Sequence, residues 1–490
     1  MSGPEAEQLG PRVRLAELVA RIQPATIIGE VGDVIVSAVT YDHRKVVPGA
    51  LHCCLPGERV DGHDFAPLAA KAGAVAFVCE RPIAGQAAEV VQLLVSRGQA
   101  RSAMALAACR FFGDPASSLR TVGVTGTNGK TTTTYFLRSV LDSHGWPTAV
   151  IGTLGGPRTT PEAPDLQRAL AEARDTNRAA VALEVSSHAL AQHRLDGYRH
   201  DVAVFTNLSQ DHLDYHGTME AYFAAKSQLL TPEHALQAVV NEDDPFGRRL
   251  LESAGIPTEG FSLGQAQQLR VGLEESHFCL EGEPVRLRPG GEINVRNALG
   301  AAAAARVLGV PAATIAAGLS NAVGPSGRLE VVPNTIGVEI IVDYAHTPVG
   351  LAEILRAART EVEAHTGKVI LVFGCGGDRD REKRPMMGSI ATRFADMAVL
   401  TSDNPRSEDP LAIIEEVRAG CDGSAQLIVE VDRRHAIADA LGAAGPGDVV
   451  IVAGKGHETV QDFGNRSFEF NDRLVIAEEL ARMSAERASR

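Results

Sequence analysis

The stretch VGVTGTNGKTTTTYFL, residues 122–137, places a glycine-rich turn between an apolar run and a helical pattern. Such a turn presents backbone N–H groups and the positive end of the helix to phosphate groups. Lys130 would neutralise the β- and γ-phosphates, and Thr131 would hold Mg²⁺. The usual pattern, GxxxxGK[ST], has glycine where this chain has Val124, and Gly126 follows two residues later. The strand–turn–helix context favours ATP binding over a tight glycine turn with an exposed lysine.

The loop residues predicted to contact ATP are consecutive: Gly126, Thr127, Asn128, Gly129, Lys130, Thr131 and Thr132. Nucleotide-binding loops of this kind serve many reactions, so the loop alone does not name one.

Short apolar runs that end in polar or glycine-rich turns recur along the chain, as in AAVALEVSS (179–187) and DVVIVAGKGHE (448–458). Helical patterns lie between many of them. This alternation predicts an α/β fold with parallel, doubly wound sheets. Ligands of such sheets bind beyond the carboxyl ends of the strands, where the unusual polar clusters of this sequence lie.

The length of 490 residues exceeds one compact core. The strand series falls into groups separated by GPSGRLEVV (324–332), which is typical of a hinge. We predict three α/β domains, covering residues 1–112, 113–326 and 327–490. The central domain would resemble a P-loop ATPase, and the C-terminal domain would be Rossmann-like.

The composition excludes several classes of protein. A net charge of −14 argues against a general nucleic-acid binder, because phosphate backbones require clustered lysine and arginine. Seven cysteines without a CxxC pair favour a reducing cytoplasm over a disulfide framework or a zinc site. MSGPEAEQLG (1–10) lacks an apolar signal core, and no run of 18 apolar residues occurs. We therefore expect neither secretion nor membrane insertion.

Three segments carry an unusual combination of side chains: LEVSSH (183–188) with Glu184, NLSQDHLDYHG (207–217) with His212, and AYFAAKSQLL (221–230) with Lys226. Taken singly, a histidine is usually structural and a helix lysine is usually exposed. Together with TGTNGKTT (125–132), they resemble the Mur ligase family. Those cytoplasmic enzymes add amino acids to UDP-N-acetylmuramic acid during peptidoglycan synthesis.

The resemblance implies a catalytic centre of Lys130, Glu184, His212 and Lys226. In this family the lysine that matches Lys226 is carbamylated by CO₂, which turns an ammonium into an anion that can bind a metal. Two Mg²⁺ ions are implied, one held by Glu184, His212 and carbamylated Lys226, and the other by Thr131. Cations would offset the repulsion between an attacking carboxylate and the γ-phosphate of ATP.

More segments resemble the nucleotide site of the family, namely INVRNA (293–298), GRLE (327–330) and VDYAHTP (342–348). The resemblance places Asn297 near adenine. It also places Arg328 and Asp343 near the nucleotide from across the hinge, and His346 is a further candidate. A phosphate contact from Arg328 would form when the domains close.

TTP (159–161) and EVSSHALAQHR (184–194) resemble the family's site for a UDP-N-acetylmuramoyl-dipeptide. The implied substrate contacts are Thr159, Thr160, Ser186, Gln192 and Arg194. The N-terminal segment 40–65 resembles the family's uridine-binding domain, in which Asp61 and Gly62 match. His43 stands where the family usually has serine, and we expect it in the same site.

Three segments resemble the family's site for the incoming amino acid: GCGGDRDREKRPMMG (374–388), DNPR (403–406) and AGKGHE (453–458). The implied lining residues are Arg379, Asp403, Asn404, Pro405, Arg406, Gly454 and Glu458. Family members that add meso-diaminopimelate carry DNPR, whereas lysine-adding members replace the arginine. Arg406 would pair bidentately with the distal carboxylate of diaminopimelate, and Glu458 would accept the ammonium at the same end.

The resemblance implies a monomeric ligase whose partners are small molecules: ATP, UDP-N-acetylmuramoyl-L-alanyl-D-glutamate and meso-diaminopimelate. Three alternatives stay open at this point. The acceptor could be L-lysine or another diamino acid. The chain could be a folylpolyglutamate synthase, which TTP, EVSSHALAQHR and DNPR together disfavour. It could be a non-catalytic Mur-like assembly protein, although Lys130, Glu184 and Lys226 are all retained. A plain P-loop GTPase is excluded, because the sequence lacks guanine-reading motifs and the later polar clusters at strand ends would go unexplained.

Overall fold

The protein is described by a computed structural model for residues 11–57, 60–363 and 367–488. The segment MSGPEAEQLG, used above to argue against a signal sequence, lies outside these residues. Three sheets of five or six strands organise the chain, which confirms the predicted α/β fold. The proposed boundaries at 112 and 326 fall between these sheets, and the division into domains stays a prediction. In the described part of the chain, no helix has both the length and the apolar character required to cross a bilayer.

The N-terminal sheet has five strands, in the spatial order Thr26–Ile28, Val91–Leu94, Ala74–Cys79, Ala50–Cys53 and Ala38–Thr40. Only the first pair is antiparallel. A separate antiparallel pair joins Val13–Arg14 to Ile35–Val36. The α-helices of this part are Leu15–Ile22, Ala66–Lys71 and Ala100–Phe111.

The central sheet has six strands, in the order Thr258–Phe261, Ala235–Asn241, His200–Phe205, Arg120–Thr125, Ala180–Glu184 and Thr148–Ile151. All neighbours are parallel. The glycine-rich turn follows the strand Arg120–Thr125, and Glu184 ends the adjacent strand. The two features therefore meet at one edge of the sheet.

The helices of the central part are Lys130–Ser143, Ala163–Asp175, Ser187–Ala191, Leu213–His216, Met219–Ser227, Pro245–Ser253, Glu292–Val307 and Ala312–Ser320. Helix Lys130–Ser143 buries Phe136, Leu137 and Val140 completely in the core beside the sheet. Each such side chain contributes about 1.5–3 kcal/mol, so this packing fixes the start of the helix and the turn before it. An antiparallel sheet of Gln267–Val271, Ser276–Leu280 and Glu283–Leu287 was not predicted.

The C-terminal sheet has the order Glu330–Val331, Glu339–Asp343, Val449–Ala453, Val369–Phe373, Met397–Leu400 and Gln426–Val429. Its strands are parallel except for the short first one. Its helices are Pro348–Glu363, Lys383–Phe394, Pro410–Arg418, Arg433–Ala443 and Asp472–Ala488. A hairpin of Val460–Asp462 and Ser467–Glu469 follows the strand Val449–Ala453.

Short 3-10 helices occur at His43–Lys45, Gly62–Phe65, Gly85–Glu89, Pro115–Ser118, Thr153–Gly155, Gln228–Leu230 and Leu263–Gln265. Two of them, His43–Lys45 and Gly62–Phe65, begin at residues of the predicted uridine site. Asp42 and Asp61 cap their first turns by accepting hydrogen bonds from the backbone N–H groups of Arg44 and His63.

Candidate functional site

A cleft of about 550 Å³ lies between the central and C-terminal sheets. It is lined by residues that follow the carboxyl ends of strands in both sheets, as expected for ligand sites in this kind of fold. The predicted site residues that line it are Thr127, Asn128, Gly129, Lys130, Thr131, Thr159, Thr160, Glu184, Ser186, Arg194, His212, Arg328, His346, Arg379, Asp403, Asn404, Arg406, Gly454 and Glu458. One cavity thus contains members of all three predicted sub-sites.

The phosphate loop (residues 124–131) is shaped by two glycines with positive φ. Gly126 has φ 151° and Gly129 has φ 86°, a region that L side chains rarely adopt. Gly129 directly precedes the helix, and a Cβ on it would lie 2.2 Å from Oδ1 of Asn297. The ammonium of Lys130 donates to the carbonyls of Gly126 and Thr127, at 2.9 Å each. Lys130 is therefore held at the mouth of the loop by the loop's own backbone.

Glu184 is buried and accepts three hydrogen bonds at the end of its strand. The Oγ1 of Thr131 donates to Oε2 at 2.8 Å, and that of Thr153 donates to the same oxygen at 3.0 Å. The backbone N–H of Thr153 donates to Oε1 at 3.0 Å. The structure therefore joins the two predicted metal positions, because Thr131 and Glu184 are in direct contact.

Lys226 is almost completely buried, although it lies in a helix where lysine is usually exposed. Its Nζ donates to the carbonyl oxygen of Gly126 at 2.7 Å, the same oxygen that Lys130 uses. It also lies 4.7 Å from the centre of the Tyr222 ring. Burial, together with the charge of Lys130, holds the pKa of Lys226 well below its usual value. At neutral pH this favours the neutral amine, the form that reacts as a nucleophile.

His212 is half-buried and begins a short helix with φ 54°. Its ring contacts His188, at 4.9 Å between ring centres, and Tyr222, at 6.1 Å. Burial lowers the pKa of His212, against the opposing charge of Asp211. A neutral imidazole keeps a lone pair for a metal. Lys226 and His212 both flank Tyr222, so this ring links two of the predicted ligands.

Across the described residues, no three or more His, Cys, Asp or Glu side chains converge into a metal site. The predicted donors here are a hydroxyl, one carboxylate, one imidazole and a lysine. Hydroxyl and carboxylate oxygens suit Mg²⁺, which prefers oxygen ligands. Thr131 and Glu184 fit such an ion as they stand, whereas Lys226 fits only after its amine has become an anion.

The residues predicted to bind the nucleotide from segments 293–298, 327–330 and 342–348 lie behind the phosphate loop. Asn297, Asp343 and Thr132 line a small cavity of about 50 Å³, together with Arg328. Arg328 is the one of these four that also lines the main cleft, and its guanidinium lies 4.4 Å from the centre of the Tyr344 ring. Asn297 also borders a separate cavity of about 340 Å³ beside Asn128.

Asp343 is half-buried, and its carboxylate accepts from the backbone N–H groups of Leu329 and Ala345, at 2.7 Å each. Burial nevertheless raises its pKa. His346 lines the cleft and lies 4.0 Å from Oδ2 of Asp211, which belongs to the central part. Burial lowers the pKa of His346 to about 4, so the ring is neutral at physiological pH.

The predicted dipeptide residues form one connected group. The Oγ1 of Thr160 donates to the carbonyl of Glu184 at 2.8 Å and accepts from the N–H of Ser186 at 2.9 Å. The guanidinium of Arg194 donates to the carbonyl of Thr160 at 2.7 Å and pairs with Glu162 at 2.9 Å. Thr159 contacts the hydroxyl of Thr153 at 3.1 Å. Gln192 does not line the cleft; it accepts a hydrogen bond from Arg194 at 2.7 Å.

The turn DNPR (403–406) faces the cleft from the C-terminal sheet. Arg406 has φ 54°, and its Nη1 donates to the carbonyl of Gly377 at 2.6 Å. Gly454 has φ 107°, and a Cβ there would lie 2.6 Å from Oδ2 of Asp403. Asn404 donates to Oε2 of Glu458 at 2.6 Å. Arg379 is exposed, with its Nη1 on the carbonyl of Asp378 at 2.9 Å.

Several predicted residues lie away from the cleft. Pro405 is buried beneath the turn, where its carbonyl would be 1.9 Å from a Cβ on Gly377. His43, Asp61 and Gly62 lie in the N-terminal part. His43 stacks on Phe65 at 4.4 Å, and Asp61 accepts from His63 and from Arg81.

Sequence reasoning missed other residues at the cleft. Lys383 is buried and lies 4.0 Å from Oδ1 of Asp211, and Thr153 binds Glu184 directly. Lys383 belongs to the charged segment RDREKR (379–384), a pattern that predicts solvent-exposed side chains. Lys455, inside the quoted segment AGKGHE, is buried and pairs with Glu458 at 3.0 Å. The sequence did contain a signal for Lys455: it lies next to residues that match the family, in a turn that follows a strand.

The fold and the cleft define a class of protein: a multidomain P-loop nucleotide-binding enzyme with its site between two α/β units. Family models match three parts of the chain: the Mur ligase family catalytic domain at 35–111, the Mur ligase middle domain at 124–305 and the Mur ligase glutamate ligase domain at 327–456. The similarity extends beyond these segments. A UDP-N-acetylmuramoyl-L-alanyl-D-glutamate–2,6-diaminopimelate ligase from Synechococcus elongatus is 44% identical over 477 residues, covering 91% of this chain and 95% of that protein. The chain belongs to the Mur ligase family.

Solved structures agree with this assignment. A ligase structure described by the same reaction name has a TM-score of 0.63 and 32% identity, covering 92% of this chain and 95% of the other. A MurF ligase from Thermotoga maritima, solved in complex with ADP, has a TM-score of 0.61 at 20% identity, covering 92% and 98%. The second likeness concerns the fold alone. The family membership supports the use of ATP by this chain.

Proposed function

We propose that this chain uses ATP to join meso-diaminopimelate to UDP-N-acetylmuramoyl-L-alanyl-D-glutamate, a step in the synthesis of peptidoglycan precursors. The products are the UDP-N-acetylmuramoyl-tripeptide, ADP and phosphate. One observation carries the proposal: Lys130, Arg194 and Arg406 line the same cleft, although they belong to three different predicted sub-sites. The full-length similarity to ligases named for this reaction supports it.

The proposed reaction has two steps. The γ-carboxylate of the D-glutamyl residue attacks the γ-phosphorus of ATP, and the bond to the bridging oxygen breaks to release ADP. The amine of meso-diaminopimelate then attacks the acyl phosphate through a tetrahedral intermediate, which expels phosphate and leaves an amide. Lys130 would stabilise the charge on the transferring phosphoryl group, and closure of the cleft would keep water from the acyl phosphate.

The site residues fit the implied Mg²⁺ ions and the carbamate in different ways. Thr131 and Glu184 offer oxygen atoms that are already in contact, and His212 offers a neutral imidazole. Lys226 is buried beside Lys130, which favours the neutral amine that reacts with CO₂. When bound, the metal ions would neutralise phosphate charge. Glu184, His212 and Lys226 would hold one ion and Thr131 the other.

The choice of acceptor rests on the turn DNPR (403–406). Meso-diaminopimelate has one more carboxylate than L-lysine, at the far end of its side chain. The guanidinium of Arg406 lines the cleft and is tied to the carbonyl of Gly377 through one nitrogen. Its other two nitrogens, Nη2 and Nε, can face a ligand, and a carboxylate buried without such a partner would cost a few kcal/mol. This favours diaminopimelate over L-lysine.

Other parts of the proposal concern the setting of the enzyme. All seven cysteines are free thiols, which suits a reducing cytoplasm. His43, Asp61 and Gly62 would bind the uridine end in the N-terminal part, at a distance from the reacting carboxylate. The enzyme would act as a monomer, which light scattering can test.

The test is a ligation assay with purified protein, ATP, Mg²⁺, the UDP-linked dipeptide and a panel of diamino acids. We expect ADP release and a tripeptide product, identified by mass, with meso-diaminopimelate. Equal rates with L-lysine would contradict the acceptor. ADP release without a ligated product would contradict the reaction.

A further inference from the structure

Lys455 is completely buried, yet none of the roles discussed above uses it. Its ammonium donates three hydrogen bonds: to Oδ1 of Asn404 at 3.0 Å, to Oε2 of Glu458 at 3.0 Å and to the carbonyl of Val460 at 2.7 Å. A lysine ammonium has three donors, and all three are used. Lys455 therefore has no donor left for a ligand, and its effect must pass through its partners.

The first partner is the carboxylate of Glu458, which lines the cleft. Its Oε2 accepts from both Lys455, at 3.0 Å, and Asn404, at 2.6 Å. Within the described residues, Oε1 of Glu458 takes part in no hydrogen bond. The two donors on one side of the carboxylate fix its rotation, so that its other oxygen remains available to a cationic group in the cleft.

The second partner is the amide of Asn404. Its Oδ1 accepts from Lys455 and, at 2.9 Å, from the N–H of Asp462. Its Nδ2 donates to Glu458. The sequence prediction placed Asn404 among the residues that touch the amino acid, but its oxygen is fully engaged inside the protein. Its contacts make it a support for Glu458.

The same network reaches Arg406 through the hairpin 460–469. Lys455 holds the carbonyl of Val460 at the start of this hairpin. Two residues further, the carbonyl of Asp462 accepts from the backbone N–H of Arg406 at 2.9 Å, where Arg406 has φ 54°. Lys455 thus connects the carboxylate at one side of the acceptor pocket with the arginine at the other.

We infer that Lys455 is a positioning residue that sets the affinity of the cleft for a diamino acid, by holding Glu458 and the turn of Arg406 in place. This inference rests on the proposed function, because Glu458 and Arg406 are its proposed contacts with the distal ammonium and carboxylate. Lys455 does not touch the substrate. Its loss should weaken the binding of the amino acid and leave the sites for ATP and the UDP-linked substrate intact.

The test compares Lys455→Met with wild type, measuring kcat and a separate KM for each of the three substrates. We expect the KM for meso-diaminopimelate to rise by about tenfold or more, equivalent to about 1.4 kcal/mol or more. The other two KM values and kcat should stay within about threefold, a level at which single side-chain effects are small. Lys368→Met, an exposed lysine of the same part of the chain, is the matched control and should behave as wild type.

A double variant provides a second test, which remains possible if Lys455→Met does not fold. When one partner of an ion pair is removed, the charge left without a partner is the main cause of instability. The variant that combines Lys455→Met with Glu458→Gln removes both charges and so avoids this cost. If Lys455 acts partly through Glu458, its loss should raise the KM for diaminopimelate by a smaller factor in the Glu458→Gln background than in wild type. An equal factor in both backgrounds would overturn the inference, as would an equal rise in all three KM values.

The wild-type arm separates this inference from the proposed function. If wild type ligates no meso-diaminopimelate, the proposed function fails. If wild type ligates it and Lys455→Met has an unchanged KM for it, only the inference about Lys455 fails.

Discussion

Replacing Arg406 by alanine tests the proposed choice of acceptor most directly. The guanidinium lines the cleft and is held by one hydrogen bond, from Nη1 to the carbonyl of Gly377 at 2.6 Å. A bidentate pair with the distal carboxylate would add two hydrogen bonds to a charged group, worth about 1.5–3 kcal/mol each. Because Arg406 is only half-buried, the lower value applies. The loss is then about 3 kcal/mol, or roughly 10²-fold in kcat/KM.

The assay measures kcat/KM for meso-diaminopimelate and for L-lysine with the same enzyme preparations. Arg406→Ala should lower the first value roughly 10²-fold and leave the second within about threefold, because L-lysine lacks the distal carboxylate. Arg406→Lys should fall between wild type and Arg406→Ala, since an ammonium keeps the charge but not the planar fork. Arg466→Ala, an exposed arginine of the neighbouring hairpin, serves as the matched control. An equal loss for both amino acids would refute the reasoning, because it would show a general disturbance of the pocket.

Three further predictions follow from the described contacts. Lys226→Ala should lose most ligase activity and regain part of it with a short carboxylic acid, because the acid replaces the proposed carbamate; full activity of the variant would exclude that role. Burial, with Glu361 and Glu274 nearby, raises the pKa of Glu339 to about 7 from 4.5. The folded state therefore loses stability as pH rises from 4.5 towards 7, and Glu339→Gln should gain on the order of 1 kcal/mol at pH 8, reduced by partial exposure, but nothing near pH 4.5. Thermal melts at both pH values measure this, and an equal gain at both would contradict it. Gly129→Ala should raise the KM for ATP and lower the Tm more than Gly145→Ala does, because both have φ near 85° but only the first places a Cβ against Asn297; equal effects would contradict the steric argument.

The features that the sequence predicted and the structure contains are local ones. The phosphate loop needs a strand, glycines that tolerate positive φ and a helix that starts at Lys130, and all of these are neighbours in the chain. The parallel sheets follow from apolar runs alternating with helical patterns. The turns after Ala180–Glu184 and Val449–Ala453 were expected at the ligand edge, and they lie there.

Other features of the structure could not be predicted from local patterns. Gln192 and Pro405 match the family pattern, yet one supports Arg194 and the other is buried beneath its own turn. Asn404 lines the cleft and its contact with the amino acid stays a prediction, but the sequence did not show that its oxygen is engaged by Lys455 and Asp462. The antiparallel sheet at 267–287 also escaped prediction, because its strands are partly exposed and lack the continuous buried apolar runs of the parallel sheets.

The sequence alone therefore determined the fold class, the phosphate loop and the set of residues that resemble the Mur ligase family. Only the tertiary structure decided which of them meet. The carbonyl of Gly126 accepts from both Lys130 and Lys226, which lie about a hundred residues apart, and burial together with the charge of Lys130 lowers the pKa of Lys226. Two partners of Lys455, Glu458 and Val460, are close in sequence, but Asn404 reaches it only when the turn 403–406 packs against the segment that follows the strand Val449–Ala453. Burial and charge proximity arise from packing between distant segments, so a linear pattern does not contain them.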